Sequence, residues 1–378
     1  MRILGIETSC DDTAVAVIEA KGGLKKPRFS VLSNVSYSQV AIHKKFGGVV
    51  PNLASRAHLQ KIIPTIKSAL SILRIDSRKI DLIAVTRGPG LAPSLLVGVN
   101  AARALAYKWQ KPIIGVNHIE GHIYSNWLPH FISTTSRRSS ANGIIENSQF
   151  RIIKFPTLIL IVSGGHTELV LMRNYGKYKI IGETLDDAVG ECFDKTARIL
   201  GLEFPGGPAL AAEAAKYLDV RCPKDIGHPE IKRPEIKLPR PMINSKDYNF
   251  SFSGLKTAVL YLYNDLIKKY SKKEIMPILA HEIQEAIVDV LVSKTLKAVK
   301  NLNPKSVMIC GGVSANKKLR EEMADALKSY KIPLFFPEFS YTTDNAAMIA
   351  AAGYFNCLKQ KFKIDSWKKI EADANLKL

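Results

Sequence analysis

Residues 2–20 read Arg2-Ile-Leu-Gly-Ile-Glu-Thr-Ser-Cys-Asp-Asp-Thr-Ala-Val-Ala-Val-Ile-Glu-Ala20, and residues 158–172 read Leu158-Ile-Leu-Ile-Val-Ser-Gly-Gly-His-Thr-Glu-Leu-Val-Leu-Met172. In each stretch two apolar runs enclose a short polar turn, the pattern of two strands joined in a hairpin. The first turn holds Glu7, Thr8, Ser9, Asp11, Asp12 and Thr13. A plain hairpin turn favours Asn-Gly. This one gathers hydroxyls and carboxylates able to hold phosphate or metal-bound water. The second turn, Ser163-Gly-Gly-His-Thr167, has glycines that let the backbone approach a ligand and N–H groups that can cradle an anion. One such unit near the start of each half predicts a duplicated α/β domain.

A third glycine turn extends the pattern. Ser306 to Cys310 reads as a buried strand, Gly311 to Asn316 as a turn, and Lys317 onward as a helix. Strand, glycine turn and helix N-terminus form a common nucleotide-binding arrangement. Between these units the sequence predicts a helix over Pro51–Arg74 carrying Arg56, His58, Lys61 and Lys67. It also predicts a strand over Asp81–Thr86 and a close-packed helix over Ser94–Trp109. Gly88-Pro-Gly90 reads as a tight turn or as a phosphate loop.

Length and composition set the outer bounds. A chain of 378 residues is too long for one ordinary core, so two domains are expected. A hydrophobic share of 46 % with mean hydropathy near zero predicts a globular protein, and no apolar run is long enough for a transmembrane helix. No basic and apolar leader precedes Ile3, which points to the cytosol or an organelle interior. Five scattered cysteines without a Cys-x-x-Cys pair argue against a disulfide scaffold or thiolate zinc. The 54 basic and 34 acidic residues give a net charge of +20, which favours a polyanionic partner, nucleic acid before membrane. A lysine-rich proteome would give the same balance.

Metal chemistry is suggested by Asn117-His-Ile-Glu-Gly-His122. If Asn117 caps a helix, His118 and His122 lie four apart on one face and can reach one cation. Two unrelated polar residues are the other reading. The spacing is that of His-Glu-x-x-His zinc proteases, but Glu120 is displaced and faces away from the pair. A third ligand is available in Asp344, which opens an alanine-rich helix and could equally be its N-terminal cap.

Several stretches keep two readings. A helix is predicted over Asp186–Leu200, with Asp187, Glu191, Asp194 and Arg198 on one face, solvated or ligand-facing. Pro205-Gly-Gly-Pro208 makes a rigid turn where a ligand could rest on Gly207. Asn249 to Thr257 alternates aromatics and hydroxyls, most simply for packing between subdomains. Ser133–Gln149 reads as an inserted loop. Residues 221–241, rich in Pro, Lys and Arg, read either as a linker or as a surface for a phosphate backbone.

Taken together these motifs resemble the tRNA threonylcarbamoyladenosine transferase family, of bacterial TsaD type with mitochondrial counterparts, formerly labelled O-sialoglycoprotein endopeptidases. The resemblance rests on Gly5 to Thr13, Gly47 to Pro51 with Ala54 to His58, Arg103 to Ile123, Val162 to Thr167, and Gly190 to Lys195. Phe250 to Lys256, Gly311 to Asn316 and Thr343 to Asn345 complete it. It implies an α/β fold of the actin/Hsp70-like (ASKHA) class: two related RNase H-like domains with a nucleotide and metal cleft between them. The expected division is a first domain over 1–130, an inserted loop over 131–155, a second domain over 156–353 with some exchange at its C-terminal end, and a tail over 354–378.

The same resemblance implies that His118, His122 and Asp344 bind one divalent metal, iron or zinc. It implies that Ile161, Val162, Ser163, Gly164, Gly165, Asp194, Gly207 and Asn316 hold the substrate. No catalytic nucleophile is implied. The reaction implied is transfer of threonylcarbamoyl from threonylcarbamoyl-AMP to adenosine 37 of tRNAs reading ANN codons, with release of AMP. Implied partners are tRNA and either a smaller actin-like paralogue with an ATPase helper, if bacterial, or a second copy, if mitochondrial; no membrane is implied. Thr342 stands where many bacterial members carry Cys, and the run from Val49 to His58 looks bacterial. A metallopeptidase and an actin-like ATPase without transferase activity are the rival readings.

Overall fold

The computed structural model describes residues 1–72, 76–129, 145–146, 153–217, 236–359 and 363–378. The expected loop over Ser133–Gln149 and most of the proline-rich stretch over 221–241 lie outside the described residues, apart from Ile145–Glu146 and 236–241.

The first hairpin and its next neighbour form an antiparallel meander of β1 (Arg2–Glu7), β2 (Asp12–Lys21) and β3 (Arg28–Ser38). β4 (Leu82–Gly88) and β5 (Ile113–Asn117) add in parallel on the far side of β1. A two-residue β6 (Ile145–Glu146) pairs with the outer edge of β3. The second half repeats the plan. β7 (Thr157–Val162), β8 (Thr167–Asn174) and β9 (Lys177–Glu183) form the meander, and β10 (Ser306–Cys310) and β11 (Leu334–Phe335) add in parallel. The spatial orders β5-β4-β1-β2-β3 and β11-β10-β7-β8-β9 are the same topology written twice. The duplicated α/β fold expected from the two hairpins is therefore present.

Helices cover both sheets. The first half carries α1 (Val40–His43), α2 (Pro51–Ser71), α3 (Ala92–Trp109) and α4 (His118–Tyr124). The second carries α5 (Val189–Ile199), α6 (Gly206–Ala215), α7 (Ser253–Leu266), α8 (Lys272–Leu302), α9 (Lys317–Lys328) and α10 (Ala346–Cys357). Outer apolar layers lie under α2 and α3 in one half, and under α5 to α9 in the other.

A third apolar layer is shared by the two halves. It joins Ile3, Ala14 and Ile18 of the first sheet to Ile159, Ile161, Val170, Met308 and Cys310 of the second, with α4 and α10 between them. The alanines of α10 have a packing reason: a Cβ on Gly5 would stand 2.1 Å from the Ala346 carbonyl oxygen, so helix and strand meet almost backbone to backbone. Burying such a layer on both faces ties the two halves together through about 25 cal/mol for each Å² of apolar surface removed from water.

Helix α10 thus packs on the first sheet although it follows the second in sequence. The tail returns the same way. Asp373 N–H donates to the Arg87 carbonyl at 2.7 Å and Gly90 N–H to the Ala374 carbonyl at 3.2 Å. This accounts for Gly88-Pro-Gly90, because a Cβ at Gly88 would meet the Asp373 carbonyl oxygen at 1.8 Å. The run is a seat for the tail and no phosphate loop.

Two local expectations are corrected. The helix expected from Asp186 begins at Val189, because Asp186 instead caps α7, accepting from the N–H groups of Phe252 and Ser253 and the hydroxyls of Ser251 and Ser253. Phe250 and Phe252 are fully buried in the core of the second half rather than between subdomains. His58 on α2 is buried, with Nδ1 2.8 Å from Thr13 Oγ1 and Nε2 3.0 Å from the Cys10 carbonyl oxygen, which ties α2 to the first turn.

Candidate functional site

Helix α4 begins where β5 ends. Asn117 holds its first turn, its carboxamide oxygen accepting from the N–H groups of Ile119 and Glu120 at 2.8 and 3.4 Å. His118 and His122 therefore lie on one face, with ring centroids 4.7 Å apart. Asp344 comes to the same place from the start of α10. It is free to do so because Asn345 performs the capping, accepting from Met348 N–H at 3.0 Å. Asp344 Oδ1 stands 3.3 Å from His122 Nε2 and 3.5 Å from His118 Nε2.

These separations suit a common ion. Ligand atoms at about 2.0–2.2 Å from a tetrahedral metal lie roughly 3.3–3.5 Å from one another. His118 is oriented from behind: its Nδ1 is 3.1 Å from Glu7 Oε2 and 3.2 Å from Ser9 Oγ. Glu7, fully buried, is itself held by the Thr86 hydroxyl at 2.6 Å and by Ser9 N–H. A carboxylate behind a histidine fixes its tautomer and leaves Nε2 to the metal. The donor set fits a divalent cation such as iron or zinc, with coordination positions left for substrate oxygen.

Electrostatics agree with the geometry. Burial opposes charge on His118, yet Asp344 and Glu7 outweigh it and hold the imidazole up to about 9. Burial, reinforced by the charge on His118, drives His122 the other way. Against the cost of burial, the two imidazoles hold Asp344 down to about 2. Around this centre burial, helped by Asp344 and Asp11, raises Asp12 to about 7, and burial with Asp344 raises Asp11.

The glycine turns of the second half open near this centre. α4 packs against β7 and β10, whose C-terminal ends carry Ile161, Val162, Ser163 and the Gly311 turn. Where a Cβ on Gly164 or Gly165 would stand there is no atom within 4 Å, so this face of the turn is open. Its back is closed: Gly190 N–H donates to the Ser163 carbonyl at 3.1 Å, and a Cβ on Gly190 would strike that oxygen at 2.7 Å. Gly311, at φ +92, cannot take a side chain, since a Cβ would meet the Val162 carbonyl oxygen at 2.4 Å.

Asp194 and Gly207 meet at the N-terminus of α6, where Asp194 Oδ1 accepts from Gly206 N–H at 2.7 Å. Asn316 is already engaged twice, its oxygen capping α9 through Leu319 N–H and its amide donating to Gln284 Oε1, both at 3.0 Å. One amide hydrogen remains for a ligand. A cavity of about 160 Å³ borders Asp194 and Gly206 and is walled by Lys44, Gly47, Arg198 and Glu203. The wall crosses the halves: Lys44 pairs with Glu203 at 2.5 Å and Arg198 donates to the Gly47 carbonyl.

Other expected site features fall elsewhere. Arg240 is ion-paired with Glu282 and with Asp289, the latter at 2.9 Å, and is tied to α8 rather than offered to a phosphate backbone. Lys195 joins Asp187 and Glu191, so these two carboxylates are paired within the protein, whereas Asp194 and Arg198 border the cavity. The Thr342 hydroxyl donates to the Phe339 carbonyl at 2.8 Å. Sequence reasoning did not foresee Glu7 behind His118; the available signal was a carboxylate ending a buried strand at the tip of the first turn.

Comparison with known proteins adds a family. The profile of the tRNA N6-adenosine threonylcarbamoyltransferases matches residues 30–135 and 139–351. Curated relatives with that name include one from Caldicellulosiruptor saccharolyticus, 44 % identical over 95 % of this chain and 94 % of its own. One from Thermosipho melanesiensis is 44 % identical over the full length of both, and one from Bacillus subtilis 44 % identical over 93 % of this chain and 90 % of its own. Among solved structures, full-length HypF in phosphate- and nucleotide-bound form aligns with 99 % of this chain at TM-score 0.50 and 11 % identity. The HypF of T. kodakarensis aligns with 95 % at TM-score 0.50 and 12 % identity. The chain spans 47 % of each HypF, and these likenesses concern the fold, which is of the actin/Hsp70-like class.

Proposed function

The chain belongs to the tRNA N6-adenosine threonylcarbamoyltransferase family, and from that premise we infer how its cleft performs the transfer. The enzyme is an acyltransferase that places a threonylcarbamoyl group on N6 of an adenosine in tRNA. The donor is threonylcarbamoyl-AMP, the acceptor is adenosine 37 of tRNAs reading ANN codons, and AMP leaves.

What supports placing this reaction in the cleft is the convergence of His118, His122 and Asp344 beside the open turn at Gly164 and Gly165. The N–H groups of Gly164 and Gly165 bind the donor's phosphate, with Ile161, Val162 and Ser163 beneath it. Asp194, Gly207 and Asn316 hold the adenosine half of the donor, Asp194 accepting from ribose hydroxyls. The residues that hold the metal are His118, His122 and Asp344, with Glu7 and Ser9 orienting His118. Iron or zinc there supplies Lewis acidity toward the donor's oxygens. The protein's own contribution is to fix donor and acceptor at one place, which turns a two-body encounter into a positioned one.

The excess of positive charge serves the tRNA backbone. The bacterial relatives favour a cytoplasmic enzyme working with a smaller actin-like paralogue and an ATPase helper, rather than a mitochondrial homodimer. No helix among the described residues is long and apolar enough to cross a membrane.

The test is direct. Unmodified tRNA is incubated with threonine, bicarbonate, ATP, an anhydride-forming enzyme and this chain, with and without helpers, then digested to nucleosides. Threonylcarbamoyladenosine that depends on this chain is expected; none in any combination overturns the reading.

A further inference from the structure

The turn that faces the metal residues contains a side chain with no part in the account above. His166 closes the β7–β8 turn through its backbone: Ser163 N–H donates to the His166 carbonyl at 2.9 Å, and His166 N–H donates to Ser163 Oγ at 3.1 Å. The turn is thus rigid, while the imidazole projecting from it is half-buried and makes no hydrogen bond to any described residue. The charges it senses are those of His118 and His122 in the first half and of Asp344 at the start of α10. Burial, reinforced by the two histidines, lowers it to about 4, so it stays neutral in neutral solution. A neutral imidazole keeps one N–H donor and one bare nitrogen. An unpaired, uncharged donor therefore sits on a rigid turn beside the proposed phosphate cradle, within electrostatic reach of the metal residues.

We propose that His166 is a catalytic residue of the transfer, donating its imidazole N–H to the carbamoyl carbonyl oxygen as charge builds there. The inference rests on the reaction assigned above. In that step the adenosine N6 forms a bond to the carbonyl carbon, and the bond from that carbon to the phosphate oxygen breaks. The electron pair leaves on AMP. The proton shed by N6 passes to solvent or to the departing phosphate, whose second ionisation lies near 6. His166 keeps its proton throughout and contributes a fixed hydrogen bond that strengthens as the oxygen becomes anionic.

The experiment compares wild type, His166→Ala and His166→Gln in the full transfer system. It measures kcat, the KM for tRNA, metal content and AMP affinity by calorimetry. His166→Ala is expected to lower kcat by about 10²–10³-fold, the effect of losing one oxyanion donor, while the other three quantities hold. His166→Gln, whose amide can offer an N–H, is expected to recover part of the loss. Full kcat in the alanine variant overturns the inference. So does loss of metal, which would make His166 a ligand, or a glutamine variant no better than alanine. A wild type that modifies no tRNA under any condition overturns the reaction assignment instead, and the two failures are thereby distinct.

Discussion

Glu120 hydrogen-bonds Asn356 at 2.8 Å between Oε2 and Nδ2, joining α4, the helix of His118 and His122, to α10. Its other oxygen accepts from the Tyr178 hydroxyl on β9 at 3.0 Å. The residue that makes the sequence look like a displaced zinc-protease motif is therefore a brace between three elements, with both oxygens already engaged. Glu120→Ala leaves a half-buried tyrosine and an amide with lost partners and should destabilise the fold by roughly 1–3 kcal/mol. Glu120→Gln, able to keep one bond, should lose less. Denaturant melts check the order, and casein turnover sensitive to a chelator in pure protein would restore the peptidase rival.

Replacing His118, His122 or Asp344 with Ala should lower bound metal and transfer together, because each removes one of three groups gathered on one point. Elemental analysis after purification decides. Three variants that all retain full metal would remove the site as drawn.

Asn316→Ser should weaken AMP binding several-fold and leave metal content intact. Serine preserves the cap on α9 that the Asn316 side chain provides and deletes only the amide, whereas alanine would add a cap penalty of about 1 kcal/mol. Calorimetry with AMP beside metal analysis separates the two sites, and loss of metal with unchanged AMP affinity would show the nucleotide residues to be misplaced.

Glu168 gives a pH prediction outside the cleft centre. It faces Glu183 across β8 and β9, and one of its carboxylate oxygens is buried without a partner. Burial, with Glu183 adding to it, raises it to about 7. The folded state therefore holds this proton more tightly than the unfolded chain does near 4.5. Its cost is absent below pH 4.5, grows as pH rises toward 7 and is constant above. Glu168→Gln should raise stability by roughly 1–3 kcal/mol at pH 8 and have little effect at pH 4.5. Equal effects at both pH values would contradict it.

The fold was legible because two hairpins wrote the same pattern twice and each glycine turn marked a strand end. That His118 and His122 share one face was legible from Asn117 and the four-residue spacing. Asp344 was open between cap and ligand until Asn345 proved to be the cap. Lost to sequence reasoning were contacts made by chain return. The Asp186 cap of α7, the tail seated on Gly88–Gly90, and His58 held by Thr13 all depend on partners many residues away. Periodicity within a window carries no trace of them.

Binding of tRNA should be steeply salt-dependent, since cations released from its phosphates drive association with so basic a chain. Affinity that is flat between low and moderate salt would mean the charge has another purpose.

The central claim is group transfer from an adenylate to a tRNA amine. The most direct measurement supplies threonylcarbamoyl-AMP to the enzyme and counts AMP released against modified nucleoside formed. It does so with normal tRNA and with tRNA carrying guanosine in place of the acceptor adenosine. One AMP for each modified nucleoside is predicted, with both falling to background for the substituted tRNA and for His118→Ala. AMP that accumulates at the same rate without an acceptor adenosine would show a hydrolase, and the transfer account would fail.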